Sequence, residues 1–207
     1  MPTDLPNMLT LSRIAAIPLL VLLMALHAPA LDFSACVVFA IAGITDYLDG
    51  RIARDRRQTS DFGRMLDPIA DKLLVGATLM MLVGMARLSS WGLYPAIVIM
   101  LREILVSGLR EYLAGVRVGL PVTRLAKWKT GVQMAALGTL VAGDTSAGLL
   151  GIGWLPVSRI GEAMLWAAAL LTLLTGWDYL MAGLSHVGSA PAARPPRAMP
   201  DTGIHPG

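Results

Sequence analysis

Four aspartates are spaced as residues sharing helix faces would be. Asp46, Asp49, Gly50 and Ala53 stand at offsets 0, 3, 4 and 7, and Gly63, Asp67 and Asp71 at offsets 0, 4 and 8. Residues three, four and seven apart lie on one side of an α-helix, so each set forms a stripe. A short turn between the two helices would bring four carboxylates into one small volume. Such a cluster repels itself unless cations hold it. Oxygen-only donors select a hard divalent ion, Mg²⁺ or Mn²⁺, and four carboxylates can serve two of them, with phosphate oxygens of a substrate completing the shell. The small residues Gly50, Ala53 and Gly63 let a bulky ligand approach the backbone, and Arg54 can hold a phosphate. Asp55, Arg56, Arg57 and Asp61 fall off the stripes and read as solvated loop charge.

The elements that position these stripes are apolar. Of 207 residues, 55% are hydrophobic and only 15% charged, with a mean hydropathy of +0.63, against roughly 25% charged in soluble domains. Six apolar runs, 8–26, 31–49, 65–88, 91–113, 125–143 and 160–184, approach or exceed the ~20 residues that cross a hydrocarbon core as a helix. Their length and lack of alternation favour helices over barrel strands. The expected fold is an all-α integral membrane protein with six transmembrane helices. It comprises a catalytic domain over 1–187 and a disordered cytoplasmic tail over 188–207, rich in proline, glycine and alanine.

Loop charge sets the orientation. Arg51, Arg54, Arg56, Arg57, Arg64, Arg117, Arg124, Lys127, Lys129, Arg194 and Arg197 fall on one side, with only Arg87 and Arg159 on the other. Basic loops stay inside, so both termini and the aspartates face the cytoplasm, in a bacterial inner membrane. Trp91, Tyr94, Trp128, Trp154 and Trp177 sit near run ends as interfacial anchors. Arg13, the run 14–26 and Ala28–Ala30 imitate a secretory leader, but Asp4 and the inward position of Arg13 favour a retained first helix. His27 belongs to an outer loop. The basic residues form no single stripe, which argues against nucleic acid as a partner. One cysteine, Cys36, and three scattered histidines offer no disulfide and no zinc site.

The segments "DYLDGRIAR" and "GRMLDPIAD", eight residues apart, resemble the signature D-x2-D-G-x2-A-R-x8-G-x3-D-x3-D of the CDP-alcohol phosphatidyltransferases, with every specified position filled. The resemblance implies a six-helix membrane fold, usually a homodimer among membrane lipids, that holds two divalent cations. Such an enzyme moves a phosphatidyl group from a CDP-linked lipid to an alcohol and releases CMP. By resemblance Asp46, Asp49, Asp67 and Asp71 ligate metal and Asp71 is also the catalytic base. Asp46, Asp49, Gly50, Ala53, Arg54 and Gly63 would line the CDP-lipid site.

"PNMLTLSR" at 6–13, "REILVSGLRE" at 102–111 and "KWKTGVQM" at 127–134 resemble the branch of that family whose donor is CDP-diacylglycerol and whose acceptor is sn-glycerol 3-phosphate. The residues agree in kind. Arg102 and Glu103 interrupt an apolar run, where a charge costs ~2.5–3.5 kcal/mol and turns to the bundle interior or a wet cavity. Arg102 and Arg110, eight apart, share a face. With Thr10, Arg13, Lys127 and Lys129 they are candidates to bind the acceptor phosphate. The same transfer to inositol phosphate, serine or phosphatidylglycerol is the alternative reading. A divalent-cation transporter is a remote one, because no acidic residue continues the aspartate path outward through helices two and three.

Overall fold

A computed structural model describes residues 5–56, 61–115 and 124–187, with side chains described over 8–46, 66–115, 125–177 and 180–181. The tail expected to be disordered, 188–207, and Arg117 lie outside the described residues. Six helices follow one another: α1 (Leu5–Ala25), α2 (Pro29–Arg56), α3 (Asp61–Gly84), α4 (Leu93–Gly115), α5 (Arg124–Leu149) and α6 (Val157–Val187). Among the described residues there is no strand, as the long, unalternating apolar runs require. The stretches Met8–Ala25, Pro29–Asp46 and Val157–Trp177 are long and apolar enough to cross a membrane. α3, α4 and α5 carry Asp67, Asp71, Arg102, Glu103, Arg110, Lys127 and Lys129 inside their spans, which dilutes the apolar run.

Every element matches an apolar run, but α2 continues as helix through the charged segment to Arg56 and α3 starts in it at Asp61. Helix formation there follows from the nucleated α2, to which each further residue adds one hydrogen bond. Pro29 opens α2, where its missing N–H has no helical partner to lose. Pro18 and Pro68 sit inside α1 and α3, as neighbouring helices permit in a bundle of this kind. His27 is in the α1–α2 turn with φ 52°, the loop position expected of it. Trp91, Tyr94, Trp128 and Trp154 are exposed near helix ends, consistent with rings that anchor at an interface, whereas Trp177 is exposed ten residues before the end of α6.

Large buried side chains from all six helices make one core: Leu20 and Met24, Phe39, Leu74 and Leu82, Ile99, Leu137 and Leu140, and Leu165. α5 packs most closely on α6, and α1 packs on both α2 and α3. At Gly161 an added Cβ would stand 2.8 Å from Leu140 Cγ and 3.2 Å from the Leu140 nitrogen. The glycine thus sets the approach of α6 to α5, as small residues do where dispersion drives helix packing. α3 meets α4 and α5 only sparsely along the described residues, and the gap is where polar side chains gather.

At the end of the bundle away from Asp46, one polar network ties the helices. Gly143, at φ 63°, interrupts α5 and breaks the i to i+4 ladder across it. The guanidinium of Arg87 donates to the Val141 carbonyl at 2.9 Å and to buried Asp32 at the start of α2. Thr145 donates to the second Asp32 oxygen at 3.1 Å. Beside it the Ser158 N–H at the start of α6 donates to Asp144 at 2.9 Å, satisfying one of the donors a helix start leaves open. Removing one partner of such a pair strands the other charge. Asp32→Ala is expected to destabilise the fold by about 3 kcal/mol without touching the inner pockets. Thermal unfolding in detergent checks this, and an unmoved midpoint would mean the network bears no load.

Candidate active site

α1 supplies the frame for the aspartates. Thr10 and Arg13, three residues apart on one face, are 1% and 2% exposed. The Thr10 hydroxyl donates to Asp67 Oδ1 on α3 at 2.5 Å. Arg13 Nη1 stands 2.7 Å from Asp46 Oδ1 on α2. α2 and α3 share few direct contacts among the described residues. Their carboxylates are brought to one place by the helix wedged against both.

Asp46, Asp67 and Asp71 line a single open groove of about 1440 Å³. Asp46 lies within electrostatic range of both Asp67 and Asp71. The side chains of Asp49, Gly50, Ala53, Arg54 and Gly63 lie outside the described residues. Their backbone is helical in α2 and α3, so the spacing used to place them on two faces holds. Among the described side chains, no three acidic, histidine or cysteine residues close into a metal-binding group.

Outward from Asp46 the groove becomes apolar. Cys36, Phe39, Ala40 and Gly43 of α2 and Met134, Ala135 and Gly138 of α5 line it there, along a seam where the two helices touch, with Cys36 Sγ 3.4 Å from the Gly138 carbonyl. The ten residues from Cys36 to Asp46 correspond to about 15 Å of helix at 1.5 Å per residue. The groove therefore joins a part lined by charges of both signs, Asp46, Asp67, Asp71 and Glu103 with Lys72, Arg102, Arg110 and Lys127, to an apolar part, the polarity of a lipid with a charged head.

A smaller pocket of about 140 Å³ opens beside Asp71, in the loose region between α3, α4 and α5. Its polar wall comprises Asp71, Arg102, Glu103, Arg110, Lys129, Thr130 and Gln133. Arg102 is braced from α6: its Nη2 donates to buried Thr175 at 3.0 Å. A Cβ on the adjacent Gly176 would lie 3.2 Å from Arg102 Cγ, so the glycine makes room for the stem. Arg102 Nη1 is also 3.7 Å from Glu103 Oε1, to which Lys129 donates from α5.

Of the six cationic or hydroxyl residues named as phosphate binders, Arg102 and Arg110 line both the groove and the small pocket, and the other four separate. Arg102, Arg110 and Lys129 line the small pocket, Arg102 and Arg110 on one face as their spacing implies. Lys129 meets Glu103 there. Lys127 lines the larger groove. Thr10 and Arg13 sit on the carboxylates rather than in the small pocket. Sequence reasoning missed Thr175 and Gln133. Gln133 is four residues past Lys129, hence on its face of α5, and that spacing was the available signal. Nothing local marks Thr175, a threonine in an apolar helix whose partner is 73 residues away.

With this geometry in view, comparison with known proteins is direct. The family model described as CDP-alcohol phosphatidyltransferase matches residues 3–174. A Rickettsia bellii protein named CDP-diacylglycerol–glycerol-3-phosphate 3-phosphatidyltransferase is 45% identical over 86% of this chain and 94% of its own. Proteins of the same name from Cereibacter sphaeroides and Haemophilus influenzae are each 37% identical. They cover 89% and 87% of this chain, and 97% and 93% of their own lengths, respectively. A complete aspartate signature, carried on helices that bring its described carboxylates to one groove, accompanies a match over most of the length: the chain belongs to the CDP-alcohol phosphatidyltransferase family.

Proposed function

We propose that this membrane protein transfers the phosphatidyl group of CDP-diacylglycerol to sn-glycerol 3-phosphate, giving phosphatidylglycerophosphate and CMP. The observation that carries the reading is the position of Asp71, which lines both the carboxylate groove and the small cationic pocket. A base between donor and acceptor belongs at that junction. The apolar α2–α5 channel suits the acyl chains, and the cationic pocket suits a small alcohol that bears a phosphate. A neutral alcohol such as inositol gives Arg102 and Arg110 no anion to bind.

The described donors fit a hard divalent ion in type, since Asp46, Asp67 and Asp71 offer oxygen only, and Asp49 would complete the set of four. Two such ions, when bound, would neutralise charge on the donor pyrophosphate and orient the reactive phosphorus. The protein's own groups do the rest. Arg13 and Thr10 hold Asp46 and Asp67 in fixed rotamers, which keeps the ligand set preorganised. Gly50, Ala53, Arg54 and Gly63 surround the CDP moiety. Arg102 and Arg110 hold the acceptor phosphate, with Lys129 and Lys127 adding positive charge nearby. Asp71 accepts the proton of the acceptor hydroxyl as its oxygen bonds to the phosphorus bearing diacylglycerol. The bond from that phosphorus to the bridging oxygen breaks, and CMP departs with that oxygen. Six membrane-crossing helices, an inner-membrane location with the site and both termini cytoplasmic, and a homodimer accompany this reading. The basic inner loops and the apolar runs support the orientation.

Three outcomes are expected. Asp71→Asn lowers turnover by about 10²–10⁴-fold, the usual contribution of a positioned base, while CDP-diacylglycerol still binds. CMP release and donor binding measured side by side check this, and full turnover in the variant would remove Asp71 from the role. Chelation by EDTA abolishes CMP release, and added Mg²⁺ or Mn²⁺ restores it; a rate indifferent to EDTA would refute the metal assignment. Given CDP-diacylglycerol and each acceptor in turn, the purified protein releases CMP with sn-glycerol 3-phosphate and not with serine, inositol phosphate or phosphatidylglycerol. A preference for any of these would replace the acceptor named here.

A further inference from the structure

Gln133 is a polar residue of the small pocket that the reaction as described leaves without a task. It is 2% exposed, and its Oε1 is buried with no hydrogen-bond partner among the described residues. Buried amide oxygens are nearly always satisfied, so an orphan oxygen on a residue that lines a pocket points to a donor that arrives with the ligand. The chemistry of the pocket says what that donor is. Arg102, Arg110 and Lys129 can only donate, and they match the phosphate of the acceptor. Asp71 takes the proton of the attacking hydroxyl. Glu103 is already engaged by Lys129. sn-Glycerol 3-phosphate brings one more O–H, on the carbon between the attacking hydroxyl and the phosphate ester, and it needs an acceptor.

We infer that Gln133 Oε1 accepts a hydrogen bond from this central hydroxyl and so selects a vicinal diol phosphate over a simple hydroxyalkyl phosphate. The assignment rests on the acceptor reading above. A neutral amide suits the place, because a carboxylate there would repel the phosphate while a leucine would leave the hydroxyl unpaired. Thr130 is the neighbouring alternative on the same wall. It is exposed, and its hydroxyl donates to the Ala126 carbonyl at 3.1 Å, so it carries no unmet demand of the same kind.

The test compares sn-glycerol 3-phosphate with 3-hydroxypropyl phosphate, which lacks only the central hydroxyl, by kcat/KM for CMP release from full-length protein. The unmodified protein should favour sn-glycerol 3-phosphate by about ten- to a hundredfold, since an unpaired buried polar group penalises the deoxy compound. Gln133→Leu, and Gln133→Met as a closer match in shape, should lose that preference by slowing only the diol, with the deoxy rate held within about twofold. The deoxy rate is itself the check that each variant is folded. Thr130→Val should keep the preference. Equal losses on both substrates would make Gln133 structural and overturn the inference, as would a preference that moves with Thr130 instead. If the unmodified protein releases CMP with neither compound but does so with another alcohol, the acceptor reading itself falls. If it uses both equally, only the role of Gln133 falls.

Discussion

The site depends on α1 holding apart, and in register, two carboxylates that would otherwise repel each other. Arg13 pairs with Asp46 and Thr10 donates to Asp67, so one buried face of one helix positions acidic groups from two others. A buried guanidinium this close to an acid is costly to desolvate and strongly destabilising to leave unpaired. The pairing therefore constrains where α2 and α3 end relative to α1. Among the described residues, direct contacts between α2 and α3 are few. Apolar packing brings the helices together, and this pair of polar contacts decides their register.

The same logic recurs on the other side of Asp71. α4 carries Arg102 into an apolar run, where insertion is unfavourable, and α6 receives it with the Thr175 hydroxyl and the bare backbone of Gly176. α5 contributes Lys129, which neutralises Glu103. The site is thus built from polar residues whose burial costs are offset by partners on a different helix. Because α3 packs sparsely on α4 and α5, space remains between them for a small polar substrate next to the end of the lipid channel.

Polarity at the two ends of the bundle serves different purposes. At one end, Asp32, Arg87, Thr145 and the freed carbonyl of Val141 satisfy one another, and the network closes on itself around the break at Gly143. At the other, paired charges border open volume. A closed network stabilises a fold, whereas an open one is available to a ligand. This contrast separates the buried aspartate at position 32 from those at 46, 67 and 71.

Much of this was legible in one dimension. Six helices follow from six apolar runs, and the helical faces of Asp46, Asp49, Asp67 and Asp71 follow from offsets of three and four. Arg102 stood out because a charge in an apolar run is expensive. Those inferences succeed because helical periodicity and burial cost are local properties of the chain. What spacing could not reveal is which helix answers which. Thr10 and Arg13 were expected near an acceptor phosphate from their types, their place at the start of the first helix and the segment around them, and the tertiary structure puts them on Asp67 and Asp46. Thr175 gained its partner, and Gln133 its unmatched oxygen, only through the crossing of helices far apart in sequence. Composition and period determine what each helix buries. Packing of the side chains between helices, which has no period along the chain, decides which polar groups meet and which are left facing a pocket.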